Sequence, residues 1–259
     1  MAKKTKNELK HFKFENLLGA MDTRKTIFLV IFSVLAIFAM NINFSRLTGT
    51  ENQFFTVFQF FGPIVGAFLG PFIGILAVLL AEVGNMLIFG KSFTLLSVLR
   101  LLPMLFATYY FATRKDKLNL RSWSSWATII IPLIAIATFI THPVGRTVWF
   151  FSLFWTIPII ITLLPPVYSN NPWLKGLGAT FTAHAIGGAI WIWTVPMTTE
   201  AWILLIPVVA YERFLFALGI GASYILFNTL LDKVDEKLRS NAINVDPEHV
   251  IGKRSKNRA

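Results

Sequence analysis

Charged and amide side chains occur inside long apolar stretches of this sequence, where they are costly to bury. Glu82 and Asn85 lie in the stretch 72–90, and Arg100 lies in the next one, 94–113. A charge in hydrocarbon needs a partner or a water-filled cavity, so these residues are candidates for binding a solute. A structural hydrogen bond between helices is an equally good interpretation of them.

Glu82 and Arg100 are expected at similar depth, because the stretch 72–90 runs outward and 94–113 returns. At a rise of 1.5 Å per residue, each lies about 9–12 Å from the outer surface. We therefore predict that the two side chains form an ion pair.

A second group of polar residues occurs in the C-terminal half. His184 is central in the apolar stretch 174–195, and Glu212 and Arg213 are central in 201–231. Adjacent residues on a helix point about 100° apart, so at most one of Glu212 and Arg213 is expected to face the same cavity as His184. We expect this residue to be Glu212.

Two polar motifs are predicted at the outer ends of membrane stretches, NINFSR (41–46) and THPVGR (141–146). Their cations could collect an anionic or strongly polar solute, and both arginines could equally anchor the chain to lipid headgroups. Nearby aromatic residues suit an interfacial belt or a flat heterocyclic ligand. The polar residues are Asn41, Asn43, Arg46, His142 and Arg146, and the aromatic ones are Trp149, Phe150, Phe151, Trp155, Trp191 and Trp193.

The composition is that of a membrane protein. Of the 259 residues, 55% are hydrophobic and only 14% are charged, and the mean hydropathy is +0.62. This is too apolar for a soluble domain of this size. We predict an all-α polytopic bundle in the cell membrane, with about eight spans. The predicted spans are 27–43, 54–69, 72–90, 94–113, 126–142, 147–164, 174–195 and 201–231.

Positive charge is distributed as expected for cytoplasmic termini. Of the 24 Lys and Arg residues, seven lie in 1–26, four in 114–121 and seven in 232–259. The bundle, 27–231, thus lies between two basic tails, and the positive-inside rule places both in the cytoplasm. We expect the tails to contact anionic lipid and not nucleic acid, because they lack interleaved aromatic residues. A short interfacial helix is predicted in the first tail, with an apolar face formed by Phe14, Leu17, Leu18 and Met21.

Small residues recur every three or four positions between 62 and 81. In a bilayer such a stripe lets two helix backbones approach closely. Gly70-Pro71 interrupts the stripe and predicts a tight turn between two helices, because proline cannot donate a backbone hydrogen bond. The candidate helix-packing residues are Gly62, Gly66, Gly70, Gly74, Ala77 and Ala81.

The two halves of the bundle, 27–113 and 126–231, share a weak sequence similarity. Pro63 and Pro71 in the first half are matched by Pro158 and Pro166 at the same spacing in the second. A tandem repeat of four spans would relate the halves by an axis along the membrane normal, with a site between them. Chance similarity between apolar helices is the alternative.

Few groups in the sequence could perform catalysis or bind a metal. The chain has no cysteine, no HExxH motif and no nucleotide-binding loop. His142 and His184 lack an identifiable third ligand for a metal ion. We therefore predict no enzyme activity, no catalytic residue, no metal and no cofactor.

The run FTVFQFFGPIVGAFLGPFIGILAVLLAEVGNML resembles the second and third helices of the substrate-binding S components of energy-coupling-factor vitamin transporters. The resemblance covers about residues 54–90. It implies a small helical membrane protein that binds a vitamin or related micronutrient from outside and docks on a transmembrane coupling subunit with two ATPases. The family usually has six spans, and its first-helix docking stripe of small residues corresponds here to Ser33, Ala36 and Ala39.

The sequence favours two functions over a third, a membrane-embedded enzyme. The first is a membrane protein that binds or transports a small polar or anionic solute, with its site formed by Glu82, Arg100, His184 and Glu212. The second is a structural or assembly subunit of a larger membrane complex. That alternative predicts small-residue stripes that face lipid and a bundle without an internal cavity.

Overall fold

The computed structural model describes residues 23–50, 53–113, 123–238 and 243–253. This part of the chain is almost entirely helical, which confirms the predicted helical bundle, with a single two-stranded sheet among the described residues. The predicted interfacial helix before residue 23 and the basic run 114–121 lie outside the described residues.

The helices fall on both sides of the gap at 114–122. In the first half they are α1 (Thr23–Ala39), α2 (Val65–Leu69), α3 (Pro71–Ile88), α4 (Leu95–Leu99) and α5 (Leu102–Thr113). In the second half they are α6 (Trp123–Thr141), α7 (Pro143–Thr147), α8 (Ile157–Leu163), α9 (Pro166–Ser169), α10 (Pro172–Thr194) and α11 (Thr199–Leu238). Short 3-10 helices occur at Val57–Phe60, Gly62–Ile64, Trp149–Thr156 and Pro247–His249.

Several of these helices have the length and composition of membrane spans. Within the described residues, four helical segments are long and apolar enough to cross a bilayer: Pro71–Ile88, Leu95–Thr113, Trp123–Thr141 and Thr199–Val234. Large hydrophobic side chains such as Leu80, Ile134 and Leu204 are exposed on them. The chain therefore has the features of a membrane protein.

The region predicted as a span at 54–69 is not one continuous helix. It begins as a β-strand, continues through two 3-10 helices and ends in α2. The break has a local cause, because Pro63 lacks a backbone N–H and falls at the start of the second 3-10 helix. The region 147–164 is not one continuous α-helix either, because it contains the 3-10 helix Trp149–Thr156 followed by α8.

A β-hairpin that the sequence analysis did not predict follows α1. Strands β1 (Asn43–Arg46) and β2 (Phe54–Thr56) pair antiparallel, with Arg46 opposite Phe54. The ladder continues into the turn, where the Leu47 amide donates to the Gln53 carbonyl over 2.8 Å. The hairpin includes residues 44–50 and 53, which lie between the predicted spans 27–43 and 54–69.

The predicted small-residue stripe lies in the interior of the bundle. A Cβ atom on Gly74 would overlap the backbone of Gly66, and one on Gly66 would lie 2.9 Å from the Thr108 carbonyl of α5. Gly62 is similarly close to Met104, and Ala77 and Ala81 are buried in the same core. Gly70 differs: its φ is +85°, and no atom lies within 4 Å of its Cβ position, so it forms the turn between α2 and α3.

Helix α10 lies between two hydrophobic clusters. The first joins α1, α2, α3 and α5 to Ala179 and Ala183 of α10. The second joins α6 and the 3-10 helix Trp149–Thr156 to Phe181 and Ala185 of the same helix. A residue on α10 can therefore face either half of the bundle or the space between them.

The described part of the C-terminal tail packs back onto the bundle. Helix α11 extends to Leu238, beyond the predicted end of the last span. In the segment 243–253, Ile243 and Val250 are buried, and the Asn244 amide donates to the Phe68 carbonyl over 3.0 Å.

Candidate functional site

A cavity of about 250 Å³ lies between the hairpin, α3, the α4–α5 junction, α10 and α11. It is lined by four of the predicted binding residues, Glu82, Arg100, His184 and Glu212, together with Arg46 from the predicted outer mouth. Residues that are far apart in the sequence thus face one space.

The rest of the lining combines charge with aromatic rings. Besides the residues already named, the charged and polar side chains are Arg213, Thr48, Gln53 and Gln59, and the aromatic ones are Phe54, Phe55, Trp191 and Trp202. Because guanidinium groups stay protonated, the lining carries three cations and two carboxyl groups. Such a surface offers both donors and acceptors beside flat apolar walls.

Glu82 and Arg100 do not form the predicted ion pair. Within the described residues no ion pair joins them, and Glu82 Oε2 and Arg100 Nε are buried without hydrogen-bond partners. The guanidinium instead lies 5.2 Å from the centre of the Trp191 ring on α10. The prediction considered depth alone, whereas Arg100 ends α4 and its long side chain reaches across to another helix.

Glu212 and Arg213 both face the cavity, so the expectation that only one could do so is wrong. Their side chains pair, with Arg213 Nη2 3.4 Å from Glu212 Oε2. The guanidinium also lies 4.4 Å from the ring centre of Phe55 and 4.7 Å from that of Phe216. The 100° angle between neighbouring helix positions does not prevent two long side chains from bending toward each other and pairing.

His184 has a defined hydrogen-bonding role. The indole Nε1–H of Trp155 donates to His184 Nδ1 over 3.1 Å. In a neutral imidazole the proton then lies on Nε2, which makes that atom a donor. Among the described residues no hydrogen bond joins His184 to Glu212, although both line the cavity.

The hairpin covers one side of the cavity. Arg46, Phe54 and Phe55 contribute to the lining, and at the hairpin tip the Cβ position of Gly49 is 2.9 Å from Met197 Sδ. Phe44 packs against Phe60 and Phe216 with ring centres 4.8 and 5.5 Å apart. The hairpin thus extends from α1 across to the connection between α10 and α11.

Three predicted binding residues lie elsewhere. Asn85 accepts a hydrogen bond from Asn41 Nδ2 over 2.9 Å, which is the structural role given as the alternative. His142 caps α7 by accepting from the Val144 amide, and packs 4.9 Å from the Trp193 ring. Arg146 is exposed. None of the three lines the cavity.

Several lining residues were not identified from the sequence. The hairpin residues were missed because Phe54 and Phe55 begin an apolar stretch that was interpreted as a span. The turn residues Thr48-Gly49-Thr50 between two short extended segments were the available signal. Trp202 gave no signal, since a tryptophan in an apolar helix is ordinary.

The described residues form no candidate metal site. Among them, no three His, Cys, Asp or Glu side chains lie close enough to hold one ion. The arrangement is suited to holding a small polar solute between fixed charges and aromatic rings.

Searches of protein-family profiles, curated proteins and solved structures gave no match to this chain.

Proposed function

We propose that this chain is an integral membrane protein of the cell membrane that binds a small polar or anionic micronutrient from outside and takes part in its uptake. The observation that carries the proposal is the cavity under the hairpin, where Glu82, Arg100, His184 and Glu212 meet. Polar residues that are costly to bury in a membrane are retained where they line a solute site. A cavity of about 250 Å³ is small for a ligand pocket, which suits a solute of metabolite size.

The proposal includes a topology of eight spans with both termini in the cytoplasm. The two short regions 57–69 and 149–163 would each cross as a 3-10 helix followed by an α-helix, a construction that they share. Two four-span halves would then enclose a site at their junction, where α10 lies.

The assembly-subunit alternative is less well supported. It calls for small residues on the lipid-facing surface and no internal cavity, whereas Gly62, Gly66 and Gly74 are packed within the chain. A charged cavity would have no evident use in a purely structural subunit.

The proposed energising partner is a transmembrane coupling subunit with ATPases, as the S-component resemblance implies. Ala36 and Ala39, which correspond to the family's docking stripe, are buried against the chain's own core. The partner would therefore have to contact another surface of this protein.

The test compares two glycine-to-leucine variants in a ligand screen. Gly187 lines the cavity, and its Cβ position has only an ordinary contact of 3.7 Å with Pro103, so Gly187→Leu should fill the cavity without disturbing the fold. Gly84 has a similar contact of 3.6 Å with Ile37 away from the lining, and Gly84→Leu is the matched control. Each protein is purified in detergent, and its melting temperature is measured against a library of small metabolites.

A bound solute should raise the melting temperature of the wild-type and Gly84→Leu proteins and leave that of Gly187→Leu unchanged. If no library member stabilises the wild-type protein, or if all binders stabilise Gly187→Leu equally, the proposed function is wrong.

A further inference from the structure

The cavity is lined by an acidic and a basic side chain, Glu82 and Arg100, that do not pair with each other. Glu212 and Arg213 pair directly at 3.4 Å. Glu82 and Arg100 line the same space, yet Glu82 Oε2 and Arg100 Nε are buried and have no hydrogen-bond partner. An acceptor and a donor of one cavity therefore remain without hydrogen-bond partners.

A ligand of a single charge cannot pair with both groups in their ionised forms. An anion on Arg100 would leave the Glu82 carboxylate unpaired and would be repelled by it, and a cation on Glu82 would leave the guanidinium unpaired. Buried polar groups that lose their partners are costly, so such ligands are disfavoured. A ligand that carries both charges satisfies the two groups at once.

The surroundings of Arg100 indicate what kind of chemical group connects the two charges of the ligand. The guanidinium lies over the Trp191 ring, and Trp202 and Phe55 contribute further aromatic surface to the same cavity. Planar guanidinium recognises carboxylate or phosphate oxygens through paired hydrogen bonds. Aromatic walls favour an apolar or flat body.

We propose that the solute is a small zwitterion whose anionic group binds Arg100, whose protonated nitrogen binds Glu82 and whose apolar body lies against Trp191 and Trp202. This inference rests on the solute-binding function proposed above. Glu82 and Arg100 determine which charges a ligand must carry. The site therefore selects ligands by their pattern of charges.

The experiment uses matched ligand series with the purified full-length protein. The probes are the twenty proteinogenic amino acids, each with its deaminated acid and its decarboxylated amine, for example phenylalanine, 3-phenylpropionate and 2-phenylethylamine. Any other binder from the metabolite screen is titrated with analogues that lack its cationic nitrogen or its anionic group. This comparison needs no mutation, so it does not depend on a variant folding.

Variants then assign each charge to its residue. Glu82→Gln should weaken zwitterion binding about 100-fold while sparing the deaminated acid, and Arg100→Gln should weaken zwitterion binding similarly while sparing the amine. Glu200→Gln and Arg146→Gln, which change the same charges outside the cavity lining, should leave all affinities unchanged. In the ligand-free protein the effects of Glu82→Gln and Arg100→Gln on stability should add, because the residues do not touch.

The outcomes separate this inference from the proposed function. Binding of zwitterions in clear preference to both analogues supports the inference. Binding of anions, cations or neutral solutes as tightly as zwitterions, with no effect of Glu82→Gln, overturns it while the solute-binding function stands. Absence of any binder in either the matched series or the library overturns the function, and the inference with it.

Discussion

The indole Nε1–H of Trp155 donates a hydrogen bond to Nδ1 of His184 over 3.1 Å. Trp155 is fully buried among Phe139 and Phe151, so its ring is held in place by packing. The bond links this aromatic core to the cavity and fixes which imidazole nitrogen carries the proton. A ligand at His184 therefore meets a donor on Nε2.

Trp155→Phe should weaken solute binding about five- to tenfold, because it removes the donor that orients His184, a bond worth about 1 kcal/mol. Isothermal titration measures the affinity, and the ¹⁵N chemical shifts of the imidazole report the tautomer. Trp193→Phe is the control, since its indole donates to the Thr138 carbonyl over 3.0 Å at an exposed site. Unchanged affinity and an unchanged tautomer in Trp155→Phe would show that the bond has no role in binding.

Gly49→Ala should accelerate solute release. Gly49 has a φ of +88° and forms the hairpin tip against Met197, and a side chain in this conformation costs about 1–2 kcal/mol. The hairpin should therefore leave the cavity more often, and stopped-flow measurement should show a dissociation rate about five- to tenfold higher. Gly90→Ala introduces similar strain, at φ +60°, in open space away from the cavity. Equal dissociation rates in the two variants would mean that the hairpin does not control release.

Gly74→Val should destabilise the bundle by about 1–3 kcal/mol or more, because its added atoms would displace the backbone of Gly66. Unfolding in a mixed-micelle denaturant titration measures the loss. Gly84→Val is the control, because its Cβ has an ordinary contact of 3.6 Å with Ile37. If both variants unfold at the same denaturant concentration, the close packing of α2 on α3 does not limit stability.

Packing of the segment 243–253 should weaken in acid. The pKa of Asp246 is lowered to about 2, first by its hydrogen bond with His249. A carboxyl group with a lowered pKa stabilises the folded state above its unfolded pKa of about 3.9, and this contribution is lost as the pH falls through the folded value. The side chain is 27% exposed, so solvent screening reduces the contribution to about 1 kcal/mol.

Hydrogen exchange tests this prediction. The Asn244 and Ile251 amides, which donate to the Phe68 carbonyl and to Thr229 Oγ1, should lose protection between about pH 4 and pH 2 after correction for the intrinsic rate. Asp246→Asn should be less protected at neutral pH and should show no such dependence. Undiminished protection of the wild-type protein at pH 2 would contradict the assignment.

The membrane class and part of the site could be predicted from the sequence. Both follow from the free-energy cost of placing an individual residue in an apolar or an aqueous environment. A glutamate or arginine in an apolar stretch is conspicuous by itself, and Glu82 and Arg100 were identified on that ground. The partners of these side chains could not be predicted, because they depend on which residues the tertiary fold brings within hydrogen-bonding distance. Asn85 is satisfied by Asn41, 44 residues away.

The hairpin shows a second limit of the sequence pattern. Its strands contain three and four residues, too short for a clear alternation of polar and apolar positions. Phe54 and Phe55 belong by composition to the apolar stretch that follows. Phe55 belongs to the cover over the cavity through its contacts with Phe216 and Arg213 of α11, which are remote in the sequence.

The most direct test of the central claim is native mass spectrometry of the purified protein after incubation with a metabolite extract of the expressing cells. One small molecule per chain should be bound in the wild-type and Gly84→Leu proteins and absent from Gly187→Leu, whose added side chain fills the cavity. A wild-type protein that carries no small molecule, or a Gly187→Leu variant that retains the same one, would contradict it.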